Sequence, residues 1–194
     1  SLVASVALVT DDVLTAEYTM NFKKTHSQTL LPMLDEIANM LELDLNTIDA
    51  IAVAAGPGSF TGLRIGSATG KGLGLALKKP LIHIPTVDAM AYNLYGCPDL
   101  ICPIMDARRN QVYTGLYRFR RELETVKEQT PMDMGELIGE LNARGERVIF
   151  LGDGVPVYRA MIEEKMTAEY DFAPPHVNRQ RAASVAALGA VYFA

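Results

Sequence analysis

The sequence predicts an α/β fold built from two copies of one βββαβα unit, and three observations carry that expectation. Short apolar runs of strand length alternate with longer segments of helical period. The second half orders them strand, strand, strand, helix, strand, helix. The first half gives the same order without its opening strand, and the sequence starts at Ser1 directly in extended pattern. Each copy is expected to be a mixed sheet flanked by helices. The boundary is expected near Gly96-Cys97-Pro98, so that residues 1–98 form one lobe and residues 99–194 the other.

Taken in order, Ser1 to Val9 alternates small and apolar residues and reads as a strand. Asp11-Asp12 is a turn, and Val13 to Phe22 resumes the extended pattern, so a hairpin is expected. A helix follows over residues 27–42. Ile48 to Ala55 is an apolar run that ends on Gly56-Pro57-Gly58, a buried strand and its turn. A second helix spans Phe60 to Leu77. Leu81 to Ile84 is a short strand, and Thr86 is placed to cap a helix from Val87 to Leu94. The second half starts with a strand over Leu100 to Met105, a turn over Asp106 to Asn110 and a strand over Val112 to Phe119. A charged stretch to Gln129 has room for a third. Helices over Asp133 to Arg144 and Pro156 to Lys165 bracket a strand over Arg147 to Leu151. Tyr170 to Ala173 reads as a short strand, and Ala182 to Phe193 as the last helix.

Composition narrows the function. The chain is 49% hydrophobic with a net charge of −5, which fits a globular protein and disfavours a free-standing nucleic-acid binder, because phosphate neutralisation needs a basic excess. No apolar run approaches a membrane span, and no leader of secretory type is apparent. Cys97 and Cys102 fit neither a redox CxxC pair nor a zinc knuckle, and read as two reduced thiols of a cytosolic protein.

The densest local signal is AAGPGSFTGLRIG, residues 54–66. It fails as a phosphate loop. In the Walker register around Gly70-Lys71, Ile65 replaces the first glycine and Gly72 the hydroxyl residue. In the dinucleotide register Thr61 stands at the third glycine. The plain reading is a tight strand-to-helix turn. The helix behind it carries more information. Gly62, Gly66, Gly70 and Gly74 recur every fourth residue, with Gly72 added. At about 0.8–1 kcal/mol each against alanine, these glycines cost roughly 4–5 kcal/mol, so close packing has to offset them. Only Arg64, Ser67 and Lys71 share a polar strip, which leaves a helix expected to be covered on two sides.

The preceding helix makes a parallel case. Leu30, Met33, Ile37 and Met40 form one stripe and Leu31, Leu34, Ala38 and Leu41 the next, wider than one sheet needs. Both helices either pack wholly within their own lobe or offer a pairing surface, and the pairing surface is the expectation. Its candidate residues are Leu30, Leu31, Met33, Leu34, Ile37, Gly62, Leu63, Gly66, Gly70 and Leu73. Gly62, Gly66 and Gly70 are expected to permit close approach of the partner, so Gly66→Leu is expected to block assembly and leave the fold largely intact.

AGPGSFTGLRIG, with HSQTLLPML upstream, DAR at a hairpin and LGDGV later, resembles the TsaB (YeaZ) family of bacterial tRNA threonylcarbamoyladenosine biosynthesis proteins over nearly the full chain. The resemblance implies two RNase H-like lobes of the actin/Hsp70-like (ASKHA) superfamily. It also implies a subunit that does not do the chemistry itself. A paralogue, TsaD, transfers the threonylcarbamoyl group, and TsaE is an ATPase partner. The TsaB chain pairs with TsaD through its two N-lobe helices, or with itself when alone, and meets tRNA only through the complex. Family members begin with a strand ending in an Asp-Thr-Ser-like turn, so the opening strand is expected to be missing here. The rival reading is an enzyme: an ASKHA ATPase or a metallopeptidase.

The residues expected for that rival are sparse. TsaD-like chains carry a metal-binding HxxxH after the glycine helix, where HIPTVDAMAY offers His83 alone, and His26 and His176 are distant in sequence. No metal and no cofactor are expected. Asp106 to Asn110 lacks the Gly-Thr pair of a phosphate hairpin. Gly152-Asp153-Gly154 explains itself as a turn, and Glu163-Glu164 as a solvated helix face. Arg108, Arg109, Arg118, Arg120 and Arg121, with Glu122, Glu124 and Glu128 nearby, read as a mixed-charge surface.

Overall fold

The computed structural model describes residues 3–22 and 26–194. Ser1, where the first strand is expected to begin, lies outside them. The chain forms two compact units, Ser1–Ala89 with Arg181–Ala194, and Met90–Gln180. This division differs from the expected halves at two places. The chain leaves the first unit within the third helix rather than at Gly96–Pro98, and the last helix returns to the first unit.

In the first unit, β1 (Val3–Thr10) and β2 (Val13–Asn21) form an antiparallel hairpin. Asp11 and Asp12 both take left-handed φ, 48° and 63°, which suits a two-residue loop between right-twisted strands. Helix α1 (His26–Met40) runs through Pro32. A 3₁₀ turn (Leu45–Thr47) follows, capped by Asp44, whose carboxylate accepts from the Asn46 amide at 3.0 Å. Ile48 is that turn's C-cap, its amide bonded back to the Leu45 carbonyl, and the expected strand is reduced to β3 (Ile51–Ala54). Helix α2 (Phe60–Leu77) begins on Ser59, whose Oγ accepts from the Gly62 amide at 3.0 Å, and ends on left-handed Lys78. β4 (Leu81–Ile84) pairs parallel with β3. In α3 (Thr86–Tyr92) the expected cap is replaced. The Thr86 hydroxyl accepts from the Gly56 amide at 3.1 Å and ties the glycine turn to the helix start.

Alternation along the strands sorts the two faces. Ala4 and Val6 turn toward Met33 of α1, and Ile51, Val53 and Leu81 toward Gly70 of α2. On the opposite face, Ala52 and Ile84 meet Gly189 of α6 (Ala182–Phe193), which packs along all four strands. The N-terminus of α6 has no cap of its own. Ser5 Oγ accepts from the Ala182 amide at 2.8 Å, and Glu17 Oε1 from the Ala183 amide at 3.2 Å.

Glu17 also accepts from both Nε and Nη2 of Arg181. Burial raises its pKa, but the Arg181 and Ala183 hydrogen bonds outweigh that and hold the carboxyl below its usual range. A depressed folded-state pKa contributes stability above the unfolded carboxylate pKa, near 4.3, and that contribution fades as pH falls through the folded value. Glu17→Gln is expected to cost about 1–2 kcal/mol near pH 7. In urea melts the gap to the parent should narrow as the pH is lowered below about 4. A gap that does not change with pH would contradict the assignment.

The second unit is one five-stranded sheet in the order β7-β6-β5-β8-β9. Its strands are β5 (Leu100–Arg108), β6 (Gln111–Phe119), β7 (Leu123–Asp133), β8 (Val148–Leu151) and β9 (Tyr170–Phe172), with α4 (Met134–Arg144) and α5 (Val155–Lys165) between the later ones. β5 is antiparallel to β6 and parallel to β8. Leu100, Cys102 and Ile104 pack with Leu137, Leu141 and Ile162. Ile101 and Met105 on the other face are buried too, which is why this strand reads as a continuous apolar run. By strand order, β1–β2 of the first unit corresponds to β6–β7, and β3–β4 to β8–β9. A counterpart of β5 is not found among the described residues of the first unit.

Candidate functional site

Helices α1 and α2 lie side by side on the strands of the first unit. Their glycines and apolar residues divide into an inward and an outward set. A Cβ at Gly70 would meet Leu81 Cδ1 at 3.1 Å and Val53 Cβ at 3.7 Å; one at Gly66 would meet Val53 Cγ2 at 3.8 Å. One at Gly74 would meet the Lys79 carbonyl oxygen at 3.1 Å. The close approach that these glycines permit is to the chain's own strands and turn. This corrects the expectation for Gly66 and Gly70. A leucine at position 66 would press on β3, so Gly66→Leu tests the sheet rather than a partner. Gly72 is different, with no atom within 4 Å of an added Cβ.

Other candidates sort the same way. Met33 is buried among Ala4 and Val6, and Leu30, Leu34 and Ile37 pack half-buried against that cluster. Leu63 closes over the turn, its Cδ1 3.2 Å from where a Gly56 Cβ would sit. Gly62 and Leu73 are half-buried, and the Gly62 amide is taken by the Ser59 cap. Of the ten candidates only Leu31, 56% exposed, belongs to the outward set. That set also holds Met40 at 77%, Phe60 at 74% and Leu75 at 84%, together with exposed Ala68 and Gly72. On α2 the positions 61, 64, 68, 72 and 75 share one face, and it is small and apolar at its centre. The i, i+4, i+7 pattern of Ala68, Gly72 and Leu75 is present in the sequence. The polar strip of Arg64, Ser67 and Lys71 is too narrow to assign the many remaining small and apolar positions to the sheet side or the open side.

The turn over residues 55–59 is held internally. The Ala55 amide bonds the Ile84 carbonyl, the Gly56 amide bonds Thr86 Oγ1, and the Leu63 amide bonds the Ser59 carbonyl. In the second unit, β5 extends to Arg108, past its expected end, and Arg108, Arg109 and Asn110 all take left-handed φ at the hairpin. Asp106 Oδ1 accepts from the Arg108 amide at 2.9 Å and from the Tyr158 hydroxyl at 3.2 Å. Burial and the nearby Asp106 charge push the Tyr158 hydroxyl up, which keeps it a protonated donor. At Gly152, φ is +109° and an added Cβ would lie 2.1 Å from the Ile104 carbonyl oxygen; Gly154 donates to that oxygen at 3.0 Å. The glycines of LGDGV thus let the end of β8 lie against β5.

Arg118 pairs with Glu146, and Arg120 lies 3.5 Å from Glu124, within a mixed-charge surface. The Cys102 thiol is pushed up to about 12 by burial, and Cys97 is a second free thiol. His83 is exposed on β4 and the His26 side chain lies outside the described residues. Among the described residues no group of three or more His, Cys, Asp or Glu is arranged to hold a metal ion, and no helix is long and apolar enough to cross a membrane.

A family profile described as TsaD, tRNA N6-adenosine threonylcarbamoyltransferase, matches residues 16–192. A Bacillus subtilis (strain 168) protein named tRNA threonylcarbamoyladenosine biosynthesis protein TsaB is 33% identical over 186 residues, 95% of this chain and 81% of its own length. A Haemophilus influenzae protein of the same name is 33% identical over 172 residues, 79% of this chain and 69% of its own. The solved structure of YeaZ from Pseudomonas aeruginosa superposes with a TM-score of 0.77 at 23% identity, covering 99% of this chain and 87% of that one. That last likeness is one of fold.

Proposed function

The chain belongs to the TsaB (YeaZ) family, and we propose that it is a non-catalytic subunit of the cytoplasmic machinery that makes threonylcarbamoyladenosine in tRNA. Its fold is the actin/Hsp70-like one. In this reading a TsaD-like paralogue performs the transfer and a TsaE-like ATPase joins the complex. The chain meets tRNA only through that assembly and pairs with itself when alone. The docking surface is the outward face of α1 and α2.

The observation that carries the reading is the uncovered apolar set Leu31, Met40, Phe60 and Leu75 on two adjacent helices. A monomer gains nothing by leaving Leu75 at 84% exposure on a helix whose other side already fills the sheet contact. Small residues at Ala68 and Gly72 allow a second helix close to the α2 backbone.

The test is assembly together with product. Light-scattering mass should rise above the monomer for the chain alone, and a mixed species should form with the TsaD-like protein of the same organism. Removing the gene should deplete threonylcarbamoyladenosine in digested tRNA, and the intact chain should restore it. Nucleotide turnover or sub-micromolar nucleotide binding by the chain alone would overturn the non-catalytic assignment.

A further inference from the structure

Arg108, Arg109, Arg118, Arg120 and Arg121 stand close together in the sequence, and the fold separates them. Arg108 and Arg109 sit at the β5–β6 turn. The other three lie at the far end of β6, about 25 Å along a nine-residue strand. There they are mixed with Glu122, Glu124 and Glu146. The near pair has no such company. Arg108 and Arg109 are exposed, and neither guanidinium has an ion pair or hydrogen bond among the described residues. Elsewhere Arg118, Arg144, Arg147, Arg159 and Arg181 each hold a carboxylate. Asp106, two residues before the pair, turns Oδ1 to the Arg108 amide at 2.9 Å and the Tyr158 hydroxyl at 3.2 Å, away from both guanidinium groups.

The backbone under the two arginines is tied down. Arg108, Arg109 and Asn110 take φ of 66°, 53° and 60°. The Asn110 carbonyl accepts from the Met134 amide at 2.8 Å, and the Gln111 carbonyl from the Tyr158 hydroxyl at 3.3 Å. A turn already held in place costs a ligand less to order. Residues 106–111 read DARRNQ, with no large apolar side chain to anchor a protein partner. Two adjacent guanidinium forks without apolar neighbours match phosphate oxygens.

We propose that this turn is an RNA contact, in which Arg108 and Arg109 bind neighbouring phosphates of a tRNA backbone. The proposal rests on the assembly reading above and adds to it a contact made by this chain itself. The net charge of −5 explains why the contact needs the assembly: two phosphate contacts do not hold RNA against an acidic surface, and a partner has to supply the remainder. Such a contact positions the RNA and carries no sequence preference.

Two full-length double variants test this. Arg108→Asn with Arg109→Asn removes both charges and suits a left-handed backbone, which Asn110 already adopts. Arg108→Lys with Arg109→Lys keeps the charges, and Lys78 takes the same backbone region in this chain. Each is assembled with the TsaD-like protein of the same organism and titrated with an unmodified tRNA transcript at several salt concentrations. The Asn variant should assemble as the parent does and bind tRNA about tenfold more weakly. Its plot of log affinity against log salt should be shallower by about 1.4–1.8, the share of two phosphates. The Lys variant should recover the parental slope, because a phosphate accepts a point charge as well as a fork. Parental affinity and slope in the Asn variant overturn the proposal. So does a folded Asn variant that no longer assembles, which makes the turn a protein contact. Nucleotide affinity of the parent chain alone that the Asn variant loses assigns the turn to a free nucleotide and overturns it too. A parental assembly that forms but binds no tRNA overturns the proposed function together with this contact.

Discussion

Leu31→Asp combined with Leu75→Asp is expected to abolish assembly while leaving the fold intact. Both side chains are more than half exposed, so the substitutions remove little packing, and surface changes of this kind shift stability by about 0.5 kcal/mol or less. At a contact between molecules the balance reverses. Each leucine that is covered contributes roughly 1.5–3 kcal/mol, and each aspartate that replaces it must be desolvated without a partner. Together these terms exceed 2.7 kcal/mol, a hundredfold in dissociation constant. Sedimentation of the chain alone and with its TsaD-like partner should show that loss, and thermal melts should coincide with the parent within about 2 °C. Parental association by the double variant would remove the outward face of α1 and α2 from consideration.

Gly152→Ala is expected to have the largest effect on stability. The backbone there has φ +109°, a region that side-chain-bearing residues rarely enter, and the added methyl would lie 2.1 Å from the Ile104 carbonyl oxygen. That oxygen accepts the Gly154 amide, and the Gly152 amide and carbonyl are engaged by Asn178 and Arg179. Relief by moving β8 away from β5 breaks these bonds, so no inexpensive relaxation exists. A loss of about 3–5 kcal/mol follows, or a fall of roughly 10 °C in melting temperature for a chain of this size. Gly139→Ala serves as the contrast. It lies in the interior of α4 with open space around an added Cβ, and it should stabilise by up to about 1 kcal/mol. Equal melting temperatures for the two variants would refute the steric account.

Much of the chain's order was legible because it is written in local terms. The bounds of α2, β4 and α6 follow from periodicity broken by turn residues, and Asp11-Asp12 announces its hairpin. The doubling of strand order in the second unit was equally readable from the spacing of its runs. Failures came where a local signal served a distant contact. Thr86 looks like a cap, but its hydroxyl oxygen accepts from the Gly56 amide, thirty residues back. Ala182 begins a helix after the second unit's last strand, yet Ser5 and Glu17 hold its start in the first unit. Only three-dimensional proximity supplies those partners.

The surface on α1 and α2 divides along the same line. By itself the sequence determined that these helices hold more apolar and small residues than a single sheet contact uses, and that they belong to a recognisable family pattern, AGPGSFTGLRIG. It left open which residues face in, because the few polar positions on each helix mark only part of its circumference and leave more apolar positions than one sheet contact can take. The tertiary structure decided that. Gly66, Gly70 and Met33 turn toward strands, where missing or flexible side chains let backbone and sheet close together, and Leu31 and Leu75 turn away. The physical reason is that burial depends on which neighbour arrives, and neighbours here are set by strand pairing over tens of residues.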